Sequence, residues 1–158
     1  MNSLVVYATR TDNTRRVAAA IADALRTRGS VELVAAEAAP TALPHGTDLL
    51  VVGGPTEGHG MTDAIKRFLD VVDLTAIDGT AVAAFDTRLR WPKLLSGSAA
   101  EGIAERLRAD GAEVIVPPES FIVTRKPELE PGELERAAAW AATVADATER
   151  RKAALPVG

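Results

Sequence analysis

Short apolar runs alternate with helically spaced segments along the chain. Leu4-Val5-Val6-Tyr7-Ala8 is unbroken by charge and predicts a buried strand. Val17, Ile21, Ala24 and Leu25 then share one helical face, with Gly29 as a stop. Val31 to Ala35 alternates weakly, as a second strand, before a loop with Pro40, Pro44 and Gly46. Leu49 to Val52 is a third strand, ended by Gly53-Gly54-Pro55. Thr62 is placed to cap a helix whose inner face is Ile65, Phe68, Leu69 and Val72. Thr80 to Phe85 reads as the fourth strand, and Asp86 to Gly97 as a long loop carrying Trp91 and Pro92. Ser98-Ala99-Ala100-Glu101 is a capping box for a helix with Ile103 and Leu107 inward and Gly111 after it. Val114 to Val116 begins a fifth strand, Pro117-Pro118 interrupts it, and Phe121 to Val123 resumes it. Pro131 opens a last helix through Leu134, Ala138, Ala141 and Ala145, and the chain is expected to fray from Arg150.

The first, third and fourth strands are apolar on both faces. That predicts a parallel sheet covered by helices on both sides, an α/β fold in a single domain, residues 1–149, with a tail over 150–158. Composition changes little. The 158 residues suffice for one core, and a formal charge of −4 argues against nucleic acid and against an anionic membrane surface. With no cysteine, there is neither a disulfide nor a thiolate nucleophile or metal ligand. No signal peptide and no run near the ~18 apolar residues of a membrane span is visible, so the expected location is cytoplasmic.

Ligands of open parallel sheets bind beyond the carboxyl ends of the strands. The loops after strands one, three and four should therefore converge. The first, Thr9-Arg10-Thr11-Asp12-Asn13-Thr14, enters a helix N-terminus with small donor side chains, which suits a phosphate. The second has Gly53, Gly54, Gly58 and Gly60, which let backbone approach a flat ligand closely. The third offers Trp91. Neither the glycine-lysine phosphate loop nor the GxGxxG dinucleotide turn is present. Plainer roles exist for each feature. The threonines also suit a cap and turn, Trp91 a loop anchor, and Asp86 a turn cap. Arg88, Arg90 and Lys93 suit a solvated basic face, and His45 and His59 ordinary loop positions.

On these segments the chain resembles the flavodoxin-like family. That family's phosphate loop reads T/S-x-T-G-x-T, matched by Thr9 to Thr14 except that Asp12 stands at the glycine. Val51 to Thr56, "VVGGPT", resembles the segment passing the flavin ring edge, and Ala83 to Ala99 resembles the second ring-facing loop. "ESFIV" and a C-terminal helix complete the likeness, in the short-chain form. The resemblance implies a three-layer sandwich on a five-stranded parallel sheet in order 2-1-3-4-5, and FMN as cofactor. It implies a site of Thr9, Arg10, Thr11, Asp12, Asn13 and Thr14 at the phosphate, Pro55, Thr56, Glu57 and Gly58 at the flavin edge, Asp86 and Thr87 at polar groups, and Trp91 stacked on the ring. Glu57 stands where an aromatic is usual, leaving one flavin face to Met61 or His59, and −4 is mild for a family of strongly acidic electron shuttles. Three functions remain open: FMN-dependent electron transfer to a partner protein or small acceptor, a binding or regulatory module that holds FMN weakly or not at all, and an FMN-dependent NAD(P)H reductase. No catalytic acid, base or metal site is called for.

Overall fold

The computed structural model describes residues 1–73 and 80–157. Five strand positions form one sheet. Strands β1 (Asn2–Tyr7), β2 (Ser30–Ala35), β3 (Leu49–Pro55), β4 (Ala81–Leu89) and β5 (Glu113–Val114) lie in the order β2-β1-β3-β4-β5, and β6 (Glu119–Val123) also pairs with β4. Every pairing of these strands is parallel. Ala81 and Val82 face Glu113 and Val114, while Phe85 to Leu89 face Glu119 to Val123. The fifth position is thus one strand broken in two, as the proline pair predicts: neither proline has an N–H for the ladder.

Period two decides the layers. Leu4, Val6, Leu50, Val52, Val82 and Ala84 point to one side, where α2 (Asp63–Val71) and α4 (Ala99–Ala109) supply Ile65, Phe68, Leu69, Ile103 and Leu107. Val5, Leu49, Val51, Ala83 and Phe85 point to the other, against Val17 and Ile21 of α1 (Asn13–Leu25) and Trp140, Ala141 and Val144 of α5 (Glu133–Ala154). Phe85, Phe121 and Trp140 meet edge to face at 6.1–6.2 Å between centroids. One short helix, α3 (Lys93–Ser96), lies between β4 and α4.

Two expectations are corrected. Asp86 to Leu89 is strand, not loop, because Glu119 to Val123 gives those residues a pairing partner. Nor does the chain fray at Arg150: α5 runs to Ala154, held by Arg151 on Glu113 at 2.5 Å and Lys152 on Asp48 at 2.8 Å. The helix starts at Glu133, with Gly132 at φ 85° before it, two residues after the expected Pro131. No helix among the described residues is long and apolar enough to cross a membrane.

Candidate functional site

The loops after β1, β3 and β4 gather at the carboxyl edge of the sheet, and the segment after β6 joins them. β1 hands over to the first loop through Ala8, whose N–H donates to Gly53 O at 3.0 Å. Thr9, Arg10, Thr11 and Asp12 are exposed, whereas Asn13 and Thr14 are buried at the start of α1. Asp12 has φ 70° and ψ −11°, in the left-handed region that Asp and Asn tolerate best after glycine. It makes no side-chain cap on α1. Instead its carboxylate accepts from Arg15 Nε at 2.5 Å and Nη2 at 2.8 Å. That hydrogen-bonded guanidinium holds the Asp12 carboxyl below the usual carboxylate range. The first N–H to close a helical turn is Arg16's, on Asp12 O at 3.1 Å. The N–H groups of Asn13, Thr14 and Arg15 therefore have no intrahelical acceptor.

Side chains of the same loop are partly engaged already. Asn13 Nδ2 donates to Thr11 Oγ1 at 3.2 Å and to Pro127 O at 2.6 Å. As an acceptor in that pair, Thr11 keeps its own O–H free to donate. Thr14 Oγ1 and Thr87 Oγ1 are 2.7 Å apart, both buried. Only one of those two protons can lie between them, so the pair also retains one donor.

Across the edge, the second and third loops are locked together. Asp86 is fully buried, and its Oδ2 accepts from Ser98 Oγ at 2.6 Å, Ala100 N–H at 3.0 Å and Thr56 Oγ1 at 3.2 Å. Thr56 Oγ1 in turn accepts from Ala99 N–H at 2.9 Å, and Thr56 N–H donates to Thr87 O at 2.9 Å. These bonds tie the N-terminus of α4 to β3 and β4, where a carboxylate suits the helix dipole. Among the described residues, Asp86 Oδ1 has no hydrogen-bond partner. Further out, His59 (φ 72°) holds Leu95 O at 3.0 Å through Nε2. Gly97, at φ 71°, lies so close beneath that a Cβ there would sit 2.1 Å from His59 O, so glycine is required. Met61 is partly buried, packed against the core beside α4. Pro55 and Glu57 are half-buried and Gly58 exposed, with Glu57 bonded to Arg10 at 3.0 Å across the two loops.

Trp91 is 47% exposed. Arg125 lies over one face of its indole, 5.5 Å from the centroid, and Arg88 Nη1 donates to Trp91 O at 2.7 Å.

The structure thus brings the sequence-derived residues to one edge but divides them. Thr9, Arg10, Thr11, Asp12, Gly58 and Trp91 are exposed there, while Thr56, Asp86 and Thr87 have their side chains engaged in scaffold bonds. Pro127 and Arg125 escaped notice, and Ser98 was read only as a helix cap. The carboxyl-end rule applies to the fifth strand as well as the first, third and fourth, and would have drawn in 124–130.

Comparisons agree with this architecture. A family model described as flavodoxin matches residues 5–87. The crystal structure of oxidised Flavodoxin 1 from Bacillus cereus superposes with a TM-score of 0.75 at 22% identity, covering 95% of this chain and 98% of that one. A flavodoxin from the domain Archaea gives a TM-score of 0.74 at 20% identity, over 94% and 99%. The rubredoxin oxygen:oxidoreductase of Desulfovibrio gigas gives 0.76 at 19% identity, covering 97% of this chain, which spans 37% of that longer protein. At these identities the likeness is one of fold. No curated protein sequence matches the chain.

Proposed function

Because the chain belongs to the flavodoxin family, whose members carry electrons on non-covalent FMN, we propose that the carboxyl edge holds FMN with its phosphate at the first loop and its ring beside Trp91. The observation that carries the assignment is Asp12. A carboxylate at the glycine position would repel a phosphate, by about 1 kcal/mol in water at 4 Å and about 4 at an effective dielectric near 20. Here the left-handed turn is kept and the carboxylate is bound to Arg15, away from the free N–H groups. The residues therefore fit a phosphate monoester. Free N–H groups of Asn13, Thr14 and Arg15 and the hydroxyls of Thr9 and Thr11 would hold it, at the positive end of the α1 dipole.

At the ring, Trp91 offers one face, and Pro55 to Gly58 present backbone to the ring edge. Thr56, Asp86 and Thr87 act by fixing those loops. Bound FMN would supply one- and two-electron chemistry. The protein's part is to orient the ring, shield it from water and set the charge around it. No side chain here need donate a proton to a substrate, which favours electron transfer over a reductase with its own catalytic acid.

Titrating FMN, FAD and NAD into the purified protein by calorimetry tests this. FMN should bind tightest, since one loop provides for one terminal phosphate. Failure of FMN to bind at about millimolar concentration, a free energy of about −4 kcal/mol, would leave a flavin-free binding module as the better account.

A further inference from the structure

The charge of −4 is unevenly placed. Residues 8–16, 55–62, 88–98 and 124–130, which build the carboxyl edge, contain eight Lys and Arg and four Asp and Glu; the rest of the chain contains ten and eighteen. Ion pairs remove most of the acids from that edge. Asp12 is bound to Arg15, Glu57 to Arg10 and Glu130 to Arg90. Lys93 is paired with Glu101 at 3.0 Å, while Arg16, Arg88, Arg125 and Lys126 make no ion pair among the described residues, so the unpaired excess is cationic.

Beside these cations lies apolar surface. Leu94 is 96% exposed and Leu95 64%, on the single turn α3, next to Trp91. Arg125 stacks on Trp91, and Arg88 bonds its carbonyl, so these cations adjoin the indole three and four residues before Leu94 and Leu95. Exposed leucines in one cluster with a charged rim mark a surface made to be covered.

We infer that Trp91, Leu94 and Leu95, ringed by Arg88, Lys93, Arg125 and Lys126, are the docking surface for an acidic redox protein. The inference rests on the electron-transfer reading and deepens it, because this surface adjoins the edge assigned to the flavin ring. Charge complementarity selects an acidic partner: a basic one would be repelled here and drawn to the acidic remainder of the molecule. A lipid surface fits less well, since α3 is too short to lie in a bilayer interface as an amphipathic helix.

The test is an NMR titration of the 15N-labelled protein with three probes: a plant-type [2Fe–2S] ferredoxin as the acidic protein, cytochrome c as the basic one, and phosphatidylserine-containing vesicles. Ferredoxin should shift amides of 88–97 and 124–127, and binding should weaken about tenfold or more between about 20 and 200 mM salt. Lys93→Glu with Lys126→Glu should weaken it about tenfold, and Leu94→Ser with Leu95→Ser about fivefold. Cytochrome c or vesicles binding more tightly than ferredoxin, or ferredoxin binding indifferent to the charge reversals, would overturn the proposal. FMN affinity, measured on the same variants, separates the two readings. FMN binding without ferredoxin docking overturns the surface and leaves the cofactor assignment standing; docking without FMN binding does the reverse.

Discussion

The two sides of the carboxyl edge are built on opposite plans. On the phosphate side, the loop from Thr9 to Asp12 is exposed, and its one acid meets solvent and Arg15. On the ring side, Asp86 is fully buried and gathers three donors from two other segments. Both acids lie at the same edge, Asp12 just before α1 and Asp86 within β4, yet one is a surface charge in an ion pair and the other an internal clamp. The difference teaches that burial decides whether an acid at this edge meets a ligand or the scaffold. Exposed groups are free to rearrange around a phosphate; the buried clamp fixes where the ring would lie.

That contrast is open to test, beginning with the clamp. Asp86→Ala should cost about 3 kcal/mol of stability, because Ser98, Ala100 and Thr56 lose a buried acceptor. Asp86→Asn should cost less, since its amide oxygen still accepts. Urea midpoints measure both, and an undiminished midpoint for the alanine variant would dissolve the distinction between the two sides.

The segment from Thr124 to Gly132 touches both sides, through Arg125 on Trp91 and Pro127 on Asn13. Its anchor is Glu133, which accepts from Ile122 N–H at 2.6 Å and from Arg136 at 2.7 and 3.0 Å. Burial alone would raise the Glu133 carboxyl; Arg136 and the Ile122 N–H outweigh it and hold the value below the ordinary 4.5. With the folded value depressed, its contribution is present above pH 4.5 and is lost as pH falls through the folded value. Glu133→Gln should therefore lower stability by about 2 kcal/mol at neutral pH and flatten its fall on acidification. Denaturation at a series of pH values, compared with the wild type, reads this directly.

Trp91→Ala comes next. Losing an aromatic platform should weaken FMN by about 1–2 kcal/mol, with thermal stability nearly unchanged because the side chain is half-exposed. Equal FMN affinity in the two proteins would place the ring elsewhere.

The smallest effect belongs to Asp12→Gly. With the carboxylate already on Arg15, removing it should tighten FMN by less than about 1 kcal/mol, under tenfold, and more at low salt. A gain of two orders of magnitude would mean that the carboxylate faces the phosphate in solution.

Much of this was legible from residue order. β1, β3 and β4 announce themselves as central strands because they are apolar on both faces, and the order 2-1-3-4-5 came with the family resemblance. That Asp12 departs from the loop glycine was readable; that Arg15 takes its carboxylate was not. The end of β4 was not. Asp86-Thr87-Arg88 looks like a loop because the groups that satisfy Asp86 and Thr87, Ser98 and Thr14, are distant in sequence, while Arg88 bonds the Trp91 carbonyl three residues on. The scaffold bonds of Thr56 and Asp86 were not legible for the same reason: a hydroxyl or carboxylate carries no local sign of which long-range partner claims it. The last turn of α5 is a similar case, held by Glu113 and Asp48 rather than by its own sequence.

The contact of α5 with α1 has a consequence for biosynthesis. One of the two cores, the one containing Val17, Ile21, Phe85 and Phe121, is covered on its outer side by Trp140, Ala141 and Val144 of the final helix. A nascent chain whose last helix is still inside the ribosome can close the opposite core but must leave this one uncovered. During that interval an aromatic, β-rich surface stays uncovered. Synthesis stalled ahead of Glu133 would leave the domain half-sealed until α5 arrives.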